Sequence, residues 1–204
     1  MGTLIFTVLS FNLCFGFSAN LELAKGDRAI VASKKDGFIK VIENKNNVLT
    51  MLFEGTASFG LIGGTKQEQG DHKTPTGIYF GMKFMNIDEL PDETYGPMAV
   101  VLNYPNPIDI KAGRTGSGIW IHGTDEQTRL GPKTSTRGCV IMQNDKLLKL
   151  IKFIKLRQTP IIIADSKDTV KIKTALNTGS ITIQYGPSKF KISRGLEKST
   201  DIVY

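Results

Sequence analysis

From Arg28 onward, short apolar runs alternate with turn residues, a rhythm that leaves room for many strands and few helices. Ala29-Ile30-Val31-Ala32, Phe38-Ile39-Lys40-Val41-Ile42 and Val48-Leu49-Thr50-Met51-Leu52-Phe53 are parted by Asp36-Gly37 and by Asn44 to Asn47, which reads as a β-meander. Asp-Gly between β-rich runs favours a tight hairpin, because both central residues of that turn need positive φ. Gly77 to Met82, Met98 to Leu102, Gly118 to Ile121 and Cys139 to Met142 are further strand candidates. Ile161-Ile162-Ile163-Ala164 is apolar enough for a buried strand, and Ile181 to Tyr185 is β-like. Helical periodicity is convincing at Asp145 to Arg157, with Leu147, Leu150, Ile151 and Ile154 on one face, Asn144 as N-cap and Thr159-Pro160 as the stop. The expected fold is mainly β with one or two helices. Two loops, Gly60 to Pro75 and Tyr104 to Gly118, are longer than the usual connection of about 4 to 6 residues, and long ordered loops often carry a binding surface.

The first residues differ from the rest. Thr3 to Phe17 has no charge and is followed by Ser18-Ala19, the shape of a secretory signal's apolar region. No Lys or Arg precedes that run, which keeps an uncleaved anchor open as the alternative, although the run is shorter than the ~20 residues of a spanning helix. Phe11-Asn12-Leu13 puts bulky residues where lipidation at Cys14 needs small ones. The expected organisation is a signal peptide or N-terminal anchor over 1–19, a main domain over 20–165 and an extension of unread role over 166–204. The expected location is the periplasm or cell envelope. The chain has 204 residues, with 26 Lys plus Arg against 19 Asp plus Glu, a net charge of +7. These basic residues are scattered and not interleaved with aromatics, which argues against a nucleic-acid partner and suits a surface near an anionic envelope.

Export makes the cysteine count informative. With Cys14 in the signal, Cys139 is the lone thiol of the mature chain, and a leftover cysteine in an oxidising compartment is either an intermolecular bridge or a reactive group. Its surroundings favour reactivity. His122, one of only two histidines, ends the apolar run Ile119-Trp120-Ile121 and precedes Gly123, so it sits where a strand turns out. Cys139 opens the next apolar run directly after Ser135-Thr136-Arg137-Gly138, a segment expected to line the substrate and oxyanion side of the sulfur. An imidazole and a nearby cation both favour the thiolate, and the amides of Gly138 and Cys139 can converge on a developing oxyanion. Acyl transfer through a thioester is the chemistry these parts suit. Neither C-x-x-C nor H-x-x-x-H spacing is present, so no metal is expected, and no organic cofactor is implied.

At these residues the chain resembles the L,D-transpeptidase catalytic domain (YkuD-like) family. The signature is a His-Gly, a spacer, then Ser/Thr-x-Gly-Cys followed by apolar positions, and it is matched by Ile121-His122-Gly123 and Thr136-Arg137-Gly138-Cys139-Val140. An upstream Thr-Pro element is matched by Thr74-Pro75-Thr76-Gly77-Ile78-Tyr79. The resemblance covers roughly Arg28 to Ala164. It implies a β-sandwich-like domain with Cys139 as nucleophile, His122 as base and the Gly123 carbonyl orienting the imidazole. It also implies that Arg137, Gly138 and Cys139 surround the oxyanion, and that the substrates are peptidoglycan stem peptides, cut between an L- and a D-centre. Many transpeptidases of the family carry Arg two residues after the nucleophile, where this chain has Ile141. The block around Tyr104-Pro105-Asn106-Pro107 and Gly113 to Gly118 looks more like the L,D-carboxypeptidase branch. The competing expectation is a catalytically silent peptidoglycan-binding module, and a wall or envelope protein partner stays open.

Three residues carry weaker expectations. Trp120 is either groove lining or rim packing, Arg114 is a candidate for binding a stem carboxylate, and His72 is expected on the surface.

Overall fold

The computed structural model describes residues 16–131, 136–176, 179–185 and 188–193. The apolar run before Gly16 with Cys14, the turn residues Asn177-Thr178, and Ser135 of the expected site lie outside the described residues. Strands β2 (Arg28–Ser33), β3 (Phe38–Lys45) and β4 (Val48–Ser58) form the expected meander. Asn46 and Asn47, both at positive φ, turn β3 into β4, as a two-residue hairpin requires. β5 (Gly77–Asn86), β6 (Met98–Leu102), β7 (Trp120–Thr124), β8 (Val140–Gln143) and β9 (Pro160–Ala164) complete a closed barrel in the order β2-β3-β4-β8-β7-β6-β5-β9.

The second layer comes from the two ends of the described chain. β1 (Phe17–Leu23) pairs in parallel with β10 (Val170–Thr174) and antiparallel with β11 (Ser180–Tyr185), and β12 (Ser188–Ser193) adds to β11. β1 therefore runs across residue 19, and β10 to β12 lie in the segment read as an extension. Phe17, Ala19, Leu21, Leu23 and Ile181 pack against Ala29, Val31, Ile78, Ile162 and Ala164 of β2, β5 and β9. The alternate residues Ile30, Ala32, Tyr79, Ile161 and Ile163 pack inside the barrel with Val41, Val100, Ile121, Val140 and Met142. β9 is thus buried on both faces, which explains its unbroken apolar run. The fold is mainly β and sandwich-like in this sense: a four-stranded sheet laid on one side of a barrel.

Helix α2 (Asn144–Leu150) is shorter than the periodicity predicts. It tightens to a 3-10 turn at Ile151–Phe153, and Ile154 is already extended. The Thr159 hydroxyl accepts the Lys155 N–H and the Gly81 carbonyl accepts the Arg157 N–H, so these amides are taken by other partners. Asn144 begins the helix without capping it. The loop from Tyr104 contains a short helix, α1 (Pro107–Lys111), started by Pro107 and by Asn106 and Asp109 in a capping box. No helix among the described residues is long and apolar enough to cross a membrane.

Candidate active site

β7 and β8 lie side by side in parallel, with Ile121 opposite Val140 and His122 opposite Ile141. Successive side chains of a strand alternate between faces. Ile121, Val140 and Met142 face the barrel core, so Trp120, His122 and Ile141, with Cys139 one step ahead of β8, fall on the outer face. There His122 and Cys139 line one cavity of about 470 Å³, with Thr136 and Arg137 beside them.

His122 is 2% exposed, and its Nδ1 lies 2.9 Å from the Gly123 carbonyl oxygen. A carbonyl only accepts, so Nδ1 carries the proton and Nε2 keeps the lone pair. Burial lowers the imidazole pKa to about 4; the Gly123 and Tyr95 carbonyls oppose the shift without cancelling it. The Tyr95 ring lies 4.7 Å from the imidazole, centroid to centroid. Cys139 is a free, half-buried thiol whose sulfur lies 3.4 Å from the Gly118 carbonyl. Burial pushes its pKa up, against the opposing pull of the Trp120 amide and of Arg137, Arg129 and Lys66. The resting pair is therefore thiol and neutral imidazole, and sulfur becomes a strong nucleophile as its proton leaves.

The loop before Cys139 is fastened by two threonines. Thr136 Oγ1 accepts the Gly138 N–H at 2.9 Å and donates to the Cys139 carbonyl at 2.6 Å. Thr74 Oγ1 accepts the Gly60 N–H at 2.7 Å and donates to the Gly138 carbonyl at 2.9 Å, which ties the Thr-Pro element to the loop before Cys139. Gly138 has φ of 131°, and a Cβ there would come within 2.9 Å of the Lys73 carbonyl oxygen, so glycine is required. On the other wall, Asp71 accepts from Lys66 Nζ and from the amides of Gln67, Glu68 and Lys73. Burial alone would raise the Asp71 pKa, but these donors outweigh it and hold the carboxyl well below the usual range.

Several expectations change. The Gly138 N–H, expected at the oxyanion, is taken by Thr136, which leaves, among the described residues of this loop, the Cys139 amide and the exposed Arg137 side chain as donors. Arg114 does not reach the cavity: its Nη1 is ion-paired at 2.6 Å with the fully buried Asp109 at the start of α1, so it anchors that loop. The Trp120 ring packs on Tyr95 with centroids 5.4 Å apart and is not among the cavity lining. His72, expected on the surface, lines the cavity, held at φ of 54°. Its place beside Thr74-Pro75 was the available signal. Tyr95, Arg129 and Lys66 also line the cavity, and nothing in their local sequence marks them. Among the described residues no cluster of three His, Cys, Asp or Glu could hold a metal ion.

The L,D-transpeptidase catalytic domain (YkuD) profile matches residues 27–163, the barrel together with the His122–Cys139 loops. The chain belongs to this family. Among solved structures it is similar to Bd1075 of Bdellovibrio bacteriovorus, with 35% identity and a TM-score of 0.58 over 70% of this chain and 49% of that one. It is also similar to the helical cell shape determining protein Pgp2 of Campylobacter jejuni, with 28% identity and a TM-score of 0.58 over 74% of this chain and 49% of that one. The chain spans about half the length of each relative. A comparison with curated protein sequences found no match. In this L,D-transpeptidase-family domain, the motif residues His122 and Cys139 meet on the outer face of β7 and β8, and Gly123 takes part through its carbonyl on the imidazole.

Proposed function

We propose that the chain is an exported cysteine acyltransferase or peptidase acting on peptidoglycan stem peptides, with Cys139 as nucleophile and His122 as base. The observation that carries this reading is the shared cavity of Cys139 and His122, with Nδ1–H committed to the Gly123 carbonyl. His122 Nε2 takes the thiol proton as sulfur attacks the carbonyl carbon between an L- and a D-centre. The Cys139 amide and Arg137 face the oxyanion; one well-placed donor of this kind contributes about 3 kcal/mol. Collapse expels the amine of the D-residue, which receives the proton from His122 and leaves a thioester on Cys139. Water then gives trimming, and an amine gives a crosslink.

Water is the favoured acceptor in this reading. Ile141, the position at which many crosslinking members carry arginine, is wholly buried beside His122 and presents no charge to an acceptor. Trimming of tetrapeptides to tripeptides follows, and the likeness to a helical cell shape determining protein supports a role in cell shape. The apolar run Thr3 to Phe17 supports export. Incubation with tetrapeptide muropeptides and mass analysis of the products tests the reading. Loss of one D-alanine is the expected result, dimers would redirect it to crosslinking, and unchanged muropeptides would overturn it.

A further inference from the structure

The His122 imidazole is set by two backbone carbonyls and one ring: Gly123 O on Nδ1, the Tyr95 carbonyl facing the ring, and the Tyr95 side chain beside it. One of those carbonyls belongs to Gly123, and the other lies in the peptide that joins Tyr95 to Gly96. The two glycines enclose a single side chain. A Cβ on Gly123 would come within 2.1 Å of Asn144 Oδ1, and a Cβ on Gly96, at φ of 70°, within 2.2 Å of the same atom. Only glycine at both positions admits the carboxamide.

Asn144 Oδ1 is buried and, among the described residues, meets no N–H or O–H donor. It faces the α-hydrogens of both glycines, the geometry of paired Cα–H···O contacts. The other end of the carboxamide fixes its orientation, since Asn144 Nδ2 donates to Asp125 Oδ1 and a carboxylate can only accept. Asn144 is neither an N-cap nor part of the cavity lining, so helix capping and substrate contact leave its placement unexplained. A buried acceptor without a polar donor is costly, and its retention calls for a reason.

We propose that Asn144 is a positioning residue for His122: its carboxamide oxygen, wedged between Gly96 and Gly123, fixes the two peptides that orient the imidazole, of which the one carrying the Gly123 carbonyl selects the Nδ1–H tautomer. This rests on reading Cys139 and His122 as the reacting pair, and the test therefore uses that pair without any muropeptide. The purified full chain and its Asn144→Ala and Asn144→Asp variants are compared for the rate of Cys139 alkylation by iodoacetamide across the pH range in which imidazole titrates. The ring ¹⁵N signals of His122 are recorded alongside.

Both variants are expected to slow alkylation about tenfold, a loss typical of a misplaced reacting group, and to shift the ring signals toward mixed tautomers. Combining Asn144→Asp with Asp125→Asn restores an acceptor facing the glycines and a donor across from it, and should recover most of the rate. Wild-type alkylation and ring signals in folded Asn144→Ala would overturn the proposal, as would a folded double variant that recovers nothing. Where Asn144→Ala does not fold, the near-isosteric Asn144→Asp takes its place: slowed alkylation with mixed tautomers supports the proposal, and wild-type behaviour overturns it. A wild-type protein inert toward muropeptides would sink the proposed function and leave this result standing on its own.

Discussion

The two faces of the β7–β8 pair are built on different principles. Inward, Ile121, Val140 and Met142 are fully buried among other apolar side chains, and their hold depends on volume and area. Outward, His122, Cys139 and Thr136 are placed by discrete polar contacts of 2.6 to 2.9 Å or by single ring contacts. The inner face tolerates exchange among shapes of similar size. The outer face depends on individual atoms, because a hydrogen bond has a direction and a methylene contact does not.

Substitutions on the two faces should separate stability from activity. Cys139→Ala removes the thiol proposed to form the thioester and should lower turnover of muropeptides by about 10³-fold or more, while the thermal melt stays near wild type. An unfolded Cys139→Ala chain would mean that the outer face also carries the fold. Ile121→Ala, one residue from His122 but on the inner face, is expected to cost about 2 to 5 kcal/mol in denaturant titration. Activity per folded molecule should persist, and its loss would show that the faces are coupled.

Acid probes the outer face alone. Buried His122 stays neutral down to about pH 4, whereas the unfolded chain takes up the proton near the ordinary value of about 6.5. Between those values the unfolded state binds more protons. The His122 contribution is therefore fully present above the upper value and is lost as pH falls toward the lower one, by up to about 3 kcal/mol. Thermal melts across this window should show the slope, and His122→Gln should flatten it. The smallest effect is expected from Thr74→Val, which keeps shape but strands the Gly60 N–H and the Gly138 carbonyl, at a cost of about 1 to 3 kcal/mol. Its turnover should fall too, since the same hydroxyl holds the nucleophile loop; unchanged turnover would mean that Thr136 holds the loop unaided.

Much of the barrel was legible because strand and turn signals are local. The turn at Asn44 to Asn47 and the buried strand Ile161 to Ala164 follow from a few neighbouring residues. The tight hairpin expected at Asp36-Gly37 is instead a longer turn over residues 34–37, in which Gly37 has positive φ and Asp36 does not. His122, Gly123 and Cys139 were legible through residue type and motif. The assignments of Arg114 and the Gly138 amide were not, because each is decided by a partner that the sequence leaves open: Asp109 in a helix inside an expected loop, and the Thr136 hydroxyl. The pairing of β1 with β10, whose register matches Ala19 with Val170, lay equally out of reach of any local signal.

By itself, then, the sequence determined a mainly β chain with a histidine and a cysteine at the starts and ends of neighbouring apolar runs. Only the tertiary structure decided that these runs are adjacent and parallel, that burial leaves a neutral thiol–imidazole pair, and that Asn144 stands between Gly96 and Gly123. The physical reason is range. Periodicity and turn chemistry act over a few residues, whereas burial and the choice of hydrogen-bond partner depend on what distant segments bring alongside.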